Sequence, residues 1–334
     1  MTPRPRATYS MIAKEAGVSE ATVSRVLNGD SRVDGDRAKS VLDVVERLGY
    51  RKHRAATALA SGRTNLIAVV IDNDLSIFSD PFWGTVTSGI SRVLMENELQ
   101  TLLLVTSVSS IDGPVAHYLQ AGEVDGAIFF QLHKDALVRK LAKTGLPIVI
   151  AGSPHAATDF VFVDTDNFGG GHAATKHLVN RGCKKVAIIT GDIETVAGHQ
   201  RLDGYHQAYR ELGRVPAKAL TAYGDYSYES GKREMARLLA DQSDIDGVFA
   251  CNDLMALGAI AAIEERGLTV PNDVAVIGFD DSVVAQTSRP GLTSVRQDIV
   301  ALGEAAAELM IAQLRNEPVE PRILPTQLVI RASA

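Results

Sequence analysis

From Leu66 onward the chain settles into a rhythm that leaves few folds open. Short apolar runs recur at Leu66–Ile71, Thr101–Thr106, Gly126–Phe130, Pro147–Ile150, Phe160–Val163, Lys185–Thr190, Asp246–Cys251 and Val274–Gly278. Between most of them lie stretches with helical spacing, at Pro81–Asn97, Asp135–Thr144, Gly170–Arg181 and Leu254–Arg266. Strands that are apolar without alternation are buried on both faces, and strands alternating with helices build parallel sheets covered by helices. Eight such strands exceed one comfortable doubly wound sheet. The series divides best near Asp164–Asn167, so the expected core is α/β, two lobes each built on a doubly wound parallel sheet. In open α/β sheets ligands bind beyond the carboxyl ends of the strands. With two lobes, those ends can face each other across a cleft.

The first sixty residues carry no strand signal. Ser10–Ala16 is a short amphipathic run with Ile12, Ala13 and Ala16 facing inward, and Gly17 supplies the backbone freedom that ends a helix. Ser19 is placed to cap the next run, Ala21–Leu27, where Val23, Val26 and Leu27 repeat at helical spacing. A third helix follows over about Gly35–Leu48, with Val41, Leu42, Val45 and Leu48 on one face. Residues 51–63 then form a linker with helical leaning but no strong apolar face to hold a helix by itself.

Charge separates the same two regions. The 334-residue chain has a formal net charge of −6, which taken alone argues against a polyanionic partner. Residues 1–63 hold 12 Lys+Arg and 7 Asp+Glu, a balance of +5, and the remainder is correspondingly acidic at −11. A small basic segment joined to a large acidic one suggests that only the small one meets nucleic acid. Two short helices joined by Gly17-Val18-Ser19 suit a helix-turn-helix, whose second helix enters the DNA major groove. From spacing alone an ordinary helical hairpin fits equally well, and the local charge tips the balance toward DNA. On the second helix Glu20, Ala21, Ser24 and Arg25 face outward.

The stretch AKEAGVSEATVSRVLNG followed by ERLGY resembles the DNA-binding head of the LacI/GalR family of bacterial transcription regulators. The resemblance continues in order along the chain: DPFW at Asp80–Trp83, VDGAIFF at Val124–Phe130, DN at Asp166–Asn167, RLDGY at Arg201–Tyr205, CNDLMALGA at Cys251–Ala259, VIGFDD at Val276–Asp281 and LTSVRQ at Leu292–Gln297. It implies a homodimeric, cytoplasmic regulator, expected to be a repressor, that binds a pseudo-palindromic double-stranded operator. A small polar, sugar-like effector bound between the core lobes would control it allosterically. The implied division is a helix-turn-helix domain over 1–50, a hinge over 51–63, an N-terminal lobe over 64–165 and 297–326, and a C-terminal lobe over 166–296 and 327–334.

In that family the first outward positions of the recognition helix and its arginine read bases; here these are Glu20, Ala21 and Arg25. Glutamate accepts from cytosine N4, an alanine methyl packs on thymine, and arginine grips guanine. Glu20 fits equally as a first-turn acid that complements the helix dipole. Thr22 and Ser24 fit phosphate contacts, which position without specifying, and Thr8, Ser19, Asn28 and His53 are further expected DNA contacts. Arg54–Ala60 matches the hinge helix that orders on the operator. Leu59 falls on the leucine that wedges into the minor groove, with a linker leucine packed on its own core as the alternative. Lys52-His53 replace the usual Pro-Asn and Thr57 replaces a common Arg or Gln, which implies a hinge that orders less readily or prefers a different central base step.

A cleft for a polyhydroxyl ligand needs planar hydrogen-bonding groups and an aromatic platform. The expected set is Asp72 and Asn73 after the first strand, Phe82 and Trp83 opening the next helix, Arg201, Asn252 and Asp280. Arg201, Asn252 and Asp280 match family positions that touch effectors. Trp83 fits a stacking face and packed core equally. Extra residues around Leu75–Ser79 bring in Phe78 as a residue that could reshape the cleft mouth. Gly152 stands where many sugar-responsive members carry an acid. Asp253 and Asp281 read as caps of the helices that follow, and Asp166 as a brace of the crossover.

An enzyme is not expected. Gly169-Gly170-Gly171 lacks the spacing of a dinucleotide loop and the lysine–hydroxyl pair of a phosphate loop. No cofactor is implied, and no His/Cys/Asp spacing suggests a metal. The apolar runs are far shorter than the roughly 20 residues that span a bilayer, so no membrane partner is expected, and no secretory signal precedes the head. The two cysteines make no disulfide framework. No heptad follows Gln327–Arg331, so a dimer is the expected assembly.

Overall fold

The computed structural model describes residues 7–27, 30, 32–50, 62–72, 75–106, 113–130, 136–155 and 160–334. Asn28, Asn73, His53 and the hinge segment with Leu59 lie outside the described residues. The chain divides into two compact units, Met1–Thr64 and Asn65–Ala334.

The first unit is all-helical, with α1 (Tyr9–Ala16), α2 (Glu20–Leu27) and α3 (Gly35–Arg47). The Thr8 side chain accepts from the Met11 N–H and starts α1; Gly17, at φ +67°, ends it by donating to the Ala13 carbonyl. The Ser19 hydroxyl accepts from the Thr22 N–H at 3.2 Å and so opens α2. Ile12, Ala13, Val23, Val41 and Val44 form the core, with Val18 filling the angle between helices. Val44, not Leu42, takes the inward place on α3: Leu42 is 51% exposed. The inward stripe follows the 41-44-48 spacing, which turns Leu42 toward solvent.

The second unit contains two six-stranded sheets. The first has the order β11-β5-β4-β3-β1-β2, from β1 (Leu66–Asp72), β2 (Gln100–Thr106), β3 (Gly126–Phe130), β4 (Ile148–Ala151), β5 (Val161–Thr165) and β11 (Arg322–Leu324), all parallel. The second has the order β12-β10-β9-β8-β6-β7, from β6 (Val186–Thr190), β7 (Thr221–Tyr223), β8 (Gly247–Ala250), β9 (Ala275–Asp280), β10 (Thr293–Gln297) and β12 (Thr326–Val329). Its strands are parallel except β12, which pairs antiparallel with β10 at the sheet edge. Helices cover both faces: α4 (Pro81–Glu96), α5 (Pro114–Gln120), α6 (Ala136–Ala142) and α12 (Ile299–Leu314) on the first sheet, and α7 (Asn167–Arg181), α8 (Val196–Glu211), α9 (Tyr228–Asp241), α10 (Asp253–Glu265) and the short α11 (Val283–Thr287) with the second. β1, β3, β4, β6, β8 and β9 are buried along nearly their whole length, which is why they read as unbroken apolar runs.

The chain crosses between sheets after β5, after β10 and between β11 and β12. Asp166 braces the first crossing: it caps α7 through the Gly169 N–H, its own N–H donates to the Leu324 carbonyl, and its carbonyl accepts from the Thr326 hydroxyl. In the second sheet's helical layer, α7 and α8 meet backbone to backbone through Gly171 and Gly204. A Cβ on Gly204 would lie 2.3 Å from the Phe168 carbonyl oxygen and 2.6 Å from the His172 nitrogen. Backbone cannot yield as a side chain tip can, so Gly204→Ala is expected to cost about 1–3 kcal/mol or more, read as a lower urea midpoint. An unchanged midpoint would contradict this packing.

Candidate functional site

In the first unit α2 presents the outward residues expected from the sequence. Glu20, Ala21 and Arg25 are exposed, while Thr22 and Ser24 are half-buried. The hydroxyls of Thr8, Ser19 and Thr22 take part in the capping bonds, and Ser19 and Thr22 meet at 2.9 Å. Arg32 grips Asp30 through two bonds of 2.9 and 2.8 Å, which, with a contribution from Arg25, holds the Asp30 carboxyl below its ordinary value. The Arg25 carbonyl accepts from the Asp30 N–H at 3.0 Å, while its side chain makes no hydrogen bond or ion pair among the described residues. Its fork is thus available to an external guanine or phosphate.

In the second unit a cleft opens between the carboxyl ends of the two sheets. Phe130 ends β3, Ala151–Gly152 end and follow β4, and Asp164 and Thr165 end β5. On the other side, Thr195 lies beyond β6, Tyr226 beyond β7, Asn252 beyond β8, and Asp280 ends β9. The space between them, with open solvent at its mouth included, is about 1140 Å³.

Arg201, on α8, is only 6% exposed. Its Nε donates to Asn167 Oδ1 at 2.9 Å, Nη1 donates to the Cys251 carbonyl, and the guanidinium stacks 3.6 Å over the Phe279 ring. Asn167 Nδ2 in turn donates to Asp164 Oδ1 at 3.0 Å, so the arginine is tied to the end of the first sheet. A second chain crosses the same boundary: the Thr165 hydroxyl donates to Gln297 Oε1, and Gln297 Nε2 donates to Asp280 Oδ1. Asp280 sits at φ +109° and Asp281 at φ +52°, two left-handed residues in succession, a strained turn of the kind found where a side chain must be aimed. Asp281 anchors it, accepting from Arg296 Nε at 2.7 Å and pairing with Arg331.

The aromatic wall belongs mainly to the first lobe. Trp83 is 8% exposed, packs edge-on against Phe82 at 5.1 Å and Phe130 at 5.8 Å, and also lines the cleft. It is therefore both core and wall. Tyr226 faces it from the second lobe; its ring lies so close to Gly191 that a Cβ there would sit 2.0 Å from the ring.

Of the expected cleft residues, the structure brings together Phe82, Trp83, Arg201, Asn252 and Asp280. Asp72 is buried at the end of β1, level with Thr106, and does not line the cleft. Phe78 is 61% exposed and also lies outside the lining; Ile77 and Ser79 line it instead. In a 3-10 turn successive residues point about 120° apart, so with Ile77 in the core Phe78 must face solvent. The cap expected at Asp253 is supplied by Asn252, whose Oδ1 accepts from the Met255 N–H while its Nδ2 donates to the Tyr226 carbonyl. Asp281 is likewise no cap, because Ser282 precedes α11. Asp80, Ser153, Asp164, Asp225, Tyr226 and Gln297 line the cleft without having been singled out in the sequence. Asp80 carried the signal of a cap for α4, which it is; Asp164 lay in the strand-end run read only as a boundary.

Burial dominates the electrostatics. It raises the carboxyls of Asp80, Asp164 and Asp280 above their ordinary value, Asp280 strongly, with Arg201 pulling each partly back. Cys251 is fully buried and its thiol is pushed up to about 12, an inert group. Behind Asp280, Asp253 accepts from the Ser294 hydroxyl and from the N–H and hydroxyl of Ser282. Burial nevertheless pushes its carboxyl up to about 7. Folded Asp253 keeps its proton to about pH 7, whereas the unfolded chain releases it near 4. The folded state thus binds more protons over that span, and stability falls as pH rises through it. His177 and His206, lowered by burial, act in the opposite sense below about pH 6.5. Unfolding free energy is therefore expected to drop by about 1 kcal/mol between about pH 6.5 and 8. Asp253→Asn should flatten that slope, and a native midpoint that rises over the window would contradict the assignment.

Among the described residues no group of His, Cys, Asp or Glu is arranged to hold a metal, and no helix is long and apolar enough to cross a membrane.

Comparison with known proteins agrees with both halves. Residues 10–53 match the family described as bacterial regulatory proteins, lacI family, and residues 175–334 match a periplasmic binding protein-like domain. The chain is 38% identical to the HTH-type transcriptional regulator CelR of Thermobifida fusca over the whole of both proteins. It is 33% identical to catabolite control protein A of Priestia megaterium, over 96% of this chain and 97% of that one. Among solved structures, a CelR–cellobiose complex superposes with a TM-score of 0.77 at 37% identity, covering 98% of this chain and 100% of that one. The lac repressor dimer bound to operator and the anti-inducer ONPF gives 0.89 at 25% identity, covering 98% and 99%. With a helix-turn-helix head, a two-sheet core and full-length relatives above 30% identity, the chain belongs to the LacI family of DNA-binding transcriptional regulators.

Proposed function

We propose that this regulator is a cytoplasmic homodimeric repressor whose affinity for a pseudo-palindromic operator is set by a small polar, sugar-like effector held between Arg201, Asn252 and Asp280 on one side and Phe82 and Trp83 on the other. The observation that carries the reading is the pairing of Arg201 with an aromatic wall in a cleft between the carboxyl ends of two sheets. A forked donor spans neighbouring hydroxyls, and an aromatic face covers the apolar side of a sugar ring. The CelR–cellobiose complex among the similar structures supports a sugar.

The working division is a head over 1–50, a hinge over 51–63, and lobes over 64–165 with 297–326 and 166–296 with 327–334. Effector closes the lobes about the crossings near Thr165, Val295 and Thr326. Closure shifts the N-terminal lobes of the dimer relative to each other, the hinge helices at Arg54–Ala60 lose or gain their mutual packing, and operator affinity changes. Glu20, Ala21 and Arg25 read bases, and Thr8, Ser19, Thr22, Ser24, Asn28 and His53 position the head on the backbone. A thermal-shift screen of the full chain against sugars, polyols and nucleosides tests the effector half, since a ligand of the folded state raises stability by mass action. A rise with a sugar or polyol is expected; a rise only with nucleosides would contradict the sugar reading.

A further inference from the structure

Resting on that reading of the cleft, the charge of its lining points further, to the class of sugar it takes. Asp80, Asp164, Asp225 and Asp280 face the space, and Arg201 is the only lysine, arginine or histidine among its described lining residues. Arg201 is partly engaged, Nε by Asn167, Nη1 by the Cys251 carbonyl and one face by the Phe279 ring, which leaves its remaining guanidinium hydrogens for a ligand. It makes no ion pair within 4 Å with any of the four acids. The carboxylates are arranged as acceptors. Asp164 Oδ2 takes the Ser153 hydroxyl at 2.7 Å, and Asp280 Oδ1 takes Gln297. Beside them Gly152 turns through φ +118° and contributes no side chain, so Asp164, from the neighbouring strand end, is the carboxylate at that corner.

We propose that the cleft selects neutral, hydroxyl-donating sugars and rejects anionic ones, such as sugar phosphates and uronates, with Asp164 and Asp225 as specificity-determining residues. Hydroxyl protons satisfy an acceptor-rich wall. A phosphate or carboxylate brings further negative charge to a site whose described lining holds Asp80, Asp225 and the buried Asp164 and Asp280, the last raised most, against one partly engaged cation, and low dielectric amplifies the repulsion. Recognition of an anion generally uses paired or forked cationic donors, and the described lining offers none beside Arg201.

The test uses the full chain and matched pairs: glucose against glucose 6-phosphate, galactose against galacturonate, and cellobiose against cellobionate, by thermal shift and then titration calorimetry. In each pair whose neutral member binds, the anion is expected to bind at least about thirtyfold more weakly, about 2 kcal/mol. Asp225→Asn, on an exposed loop, and Asp164→Asn should each narrow that gap. An anion that binds as tightly as its neutral partner, or a gap unchanged in both variants, would overturn charge selection while leaving the sugar cleft intact. A chain that none of the sugars stabilises overturns the sugar reading itself, and charge selection with it.

Discussion

Arg201→Ala is expected to lower effector affinity at least about a hundredfold while leaving operator binding without effector within about threefold of native. The reasoning starts from position. Arg201 is buried, and its guanidinium links Asn167 at the crossing to the Cys251 carbonyl at the end of β8. Removing it takes away the donor that the proposed site offers the effector. It also frees Asn167, whose other contacts hold Asp164 and the Thr165 carbonyl. A buried hydrogen bond to a charged group contributes about 1.5–3 kcal/mol, so loss of two on a sugar accounts for a hundredfold or more. The buried carboxylates would also lose the cation that offsets them, so the variant should melt lower at pH 8 than at pH 6.5. Arg201→Lys keeps the charge but not the fork and should recover stability more than affinity. Effector binding by Arg201→Ala within fivefold of native would contradict this placement of the ligand.

The second large effect lies in the head. Arg25→Ala is expected to abolish preference for a duplex selected from a random library by the full chain. A base-reading arginine carries about 1–3 kcal/mol per contact, and a dimer loses two. The Arg25 side chain is exposed and is not part of the core of Ile12, Val23 and Val41, so its removal leaves that packing untouched. Non-specific binding should fall much less. If Arg25 meets phosphate instead, affinity for all duplexes drops alike and the salt slope shrinks by about one per arginine. Identical affinity of variant and native protein for the selected duplex would remove Arg25 from the interface.

The parts of this molecule that are legible in the sequence share one property, a pattern imposed by burial. β1, β3 and β9 read as apolar runs because both faces of a parallel strand are covered. β7 has three residues with Tyr223 exposed, and β12 is a half-exposed antiparallel edge; neither gives a continuous run. α12 escapes the search for an amphipathic face because Ile299, Leu302, Ala306 and Met310 are buried along with residues on its other sides. In the site, motifs place Arg201, Asn252 and Asp280, yet they leave open which neighbour does what. Asn252 and Asp253 are adjacent, and only the fold shows that the first caps α10 while the second braces Ser282 and Ser294. Asp164 and Tyr226 enter through topology: they lie 62 positions apart and meet only because two sheets point their carboxyl ends at one space.

The central claim is that cleft and operator are coupled. Coupling between binding sites is reciprocal, so the factor by which effector changes operator affinity must equal the factor by which operator changes effector affinity. The direct measurement is a calorimetric titration of the full chain with the sugar found in the screen, once free and once saturated with its selected duplex. The account predicts different affinities in the two titrations, by the same factor that the sugar imposes on duplex binding, typically five- to about 150-fold for coupled sites. Equal affinities with and without duplex would contradict it.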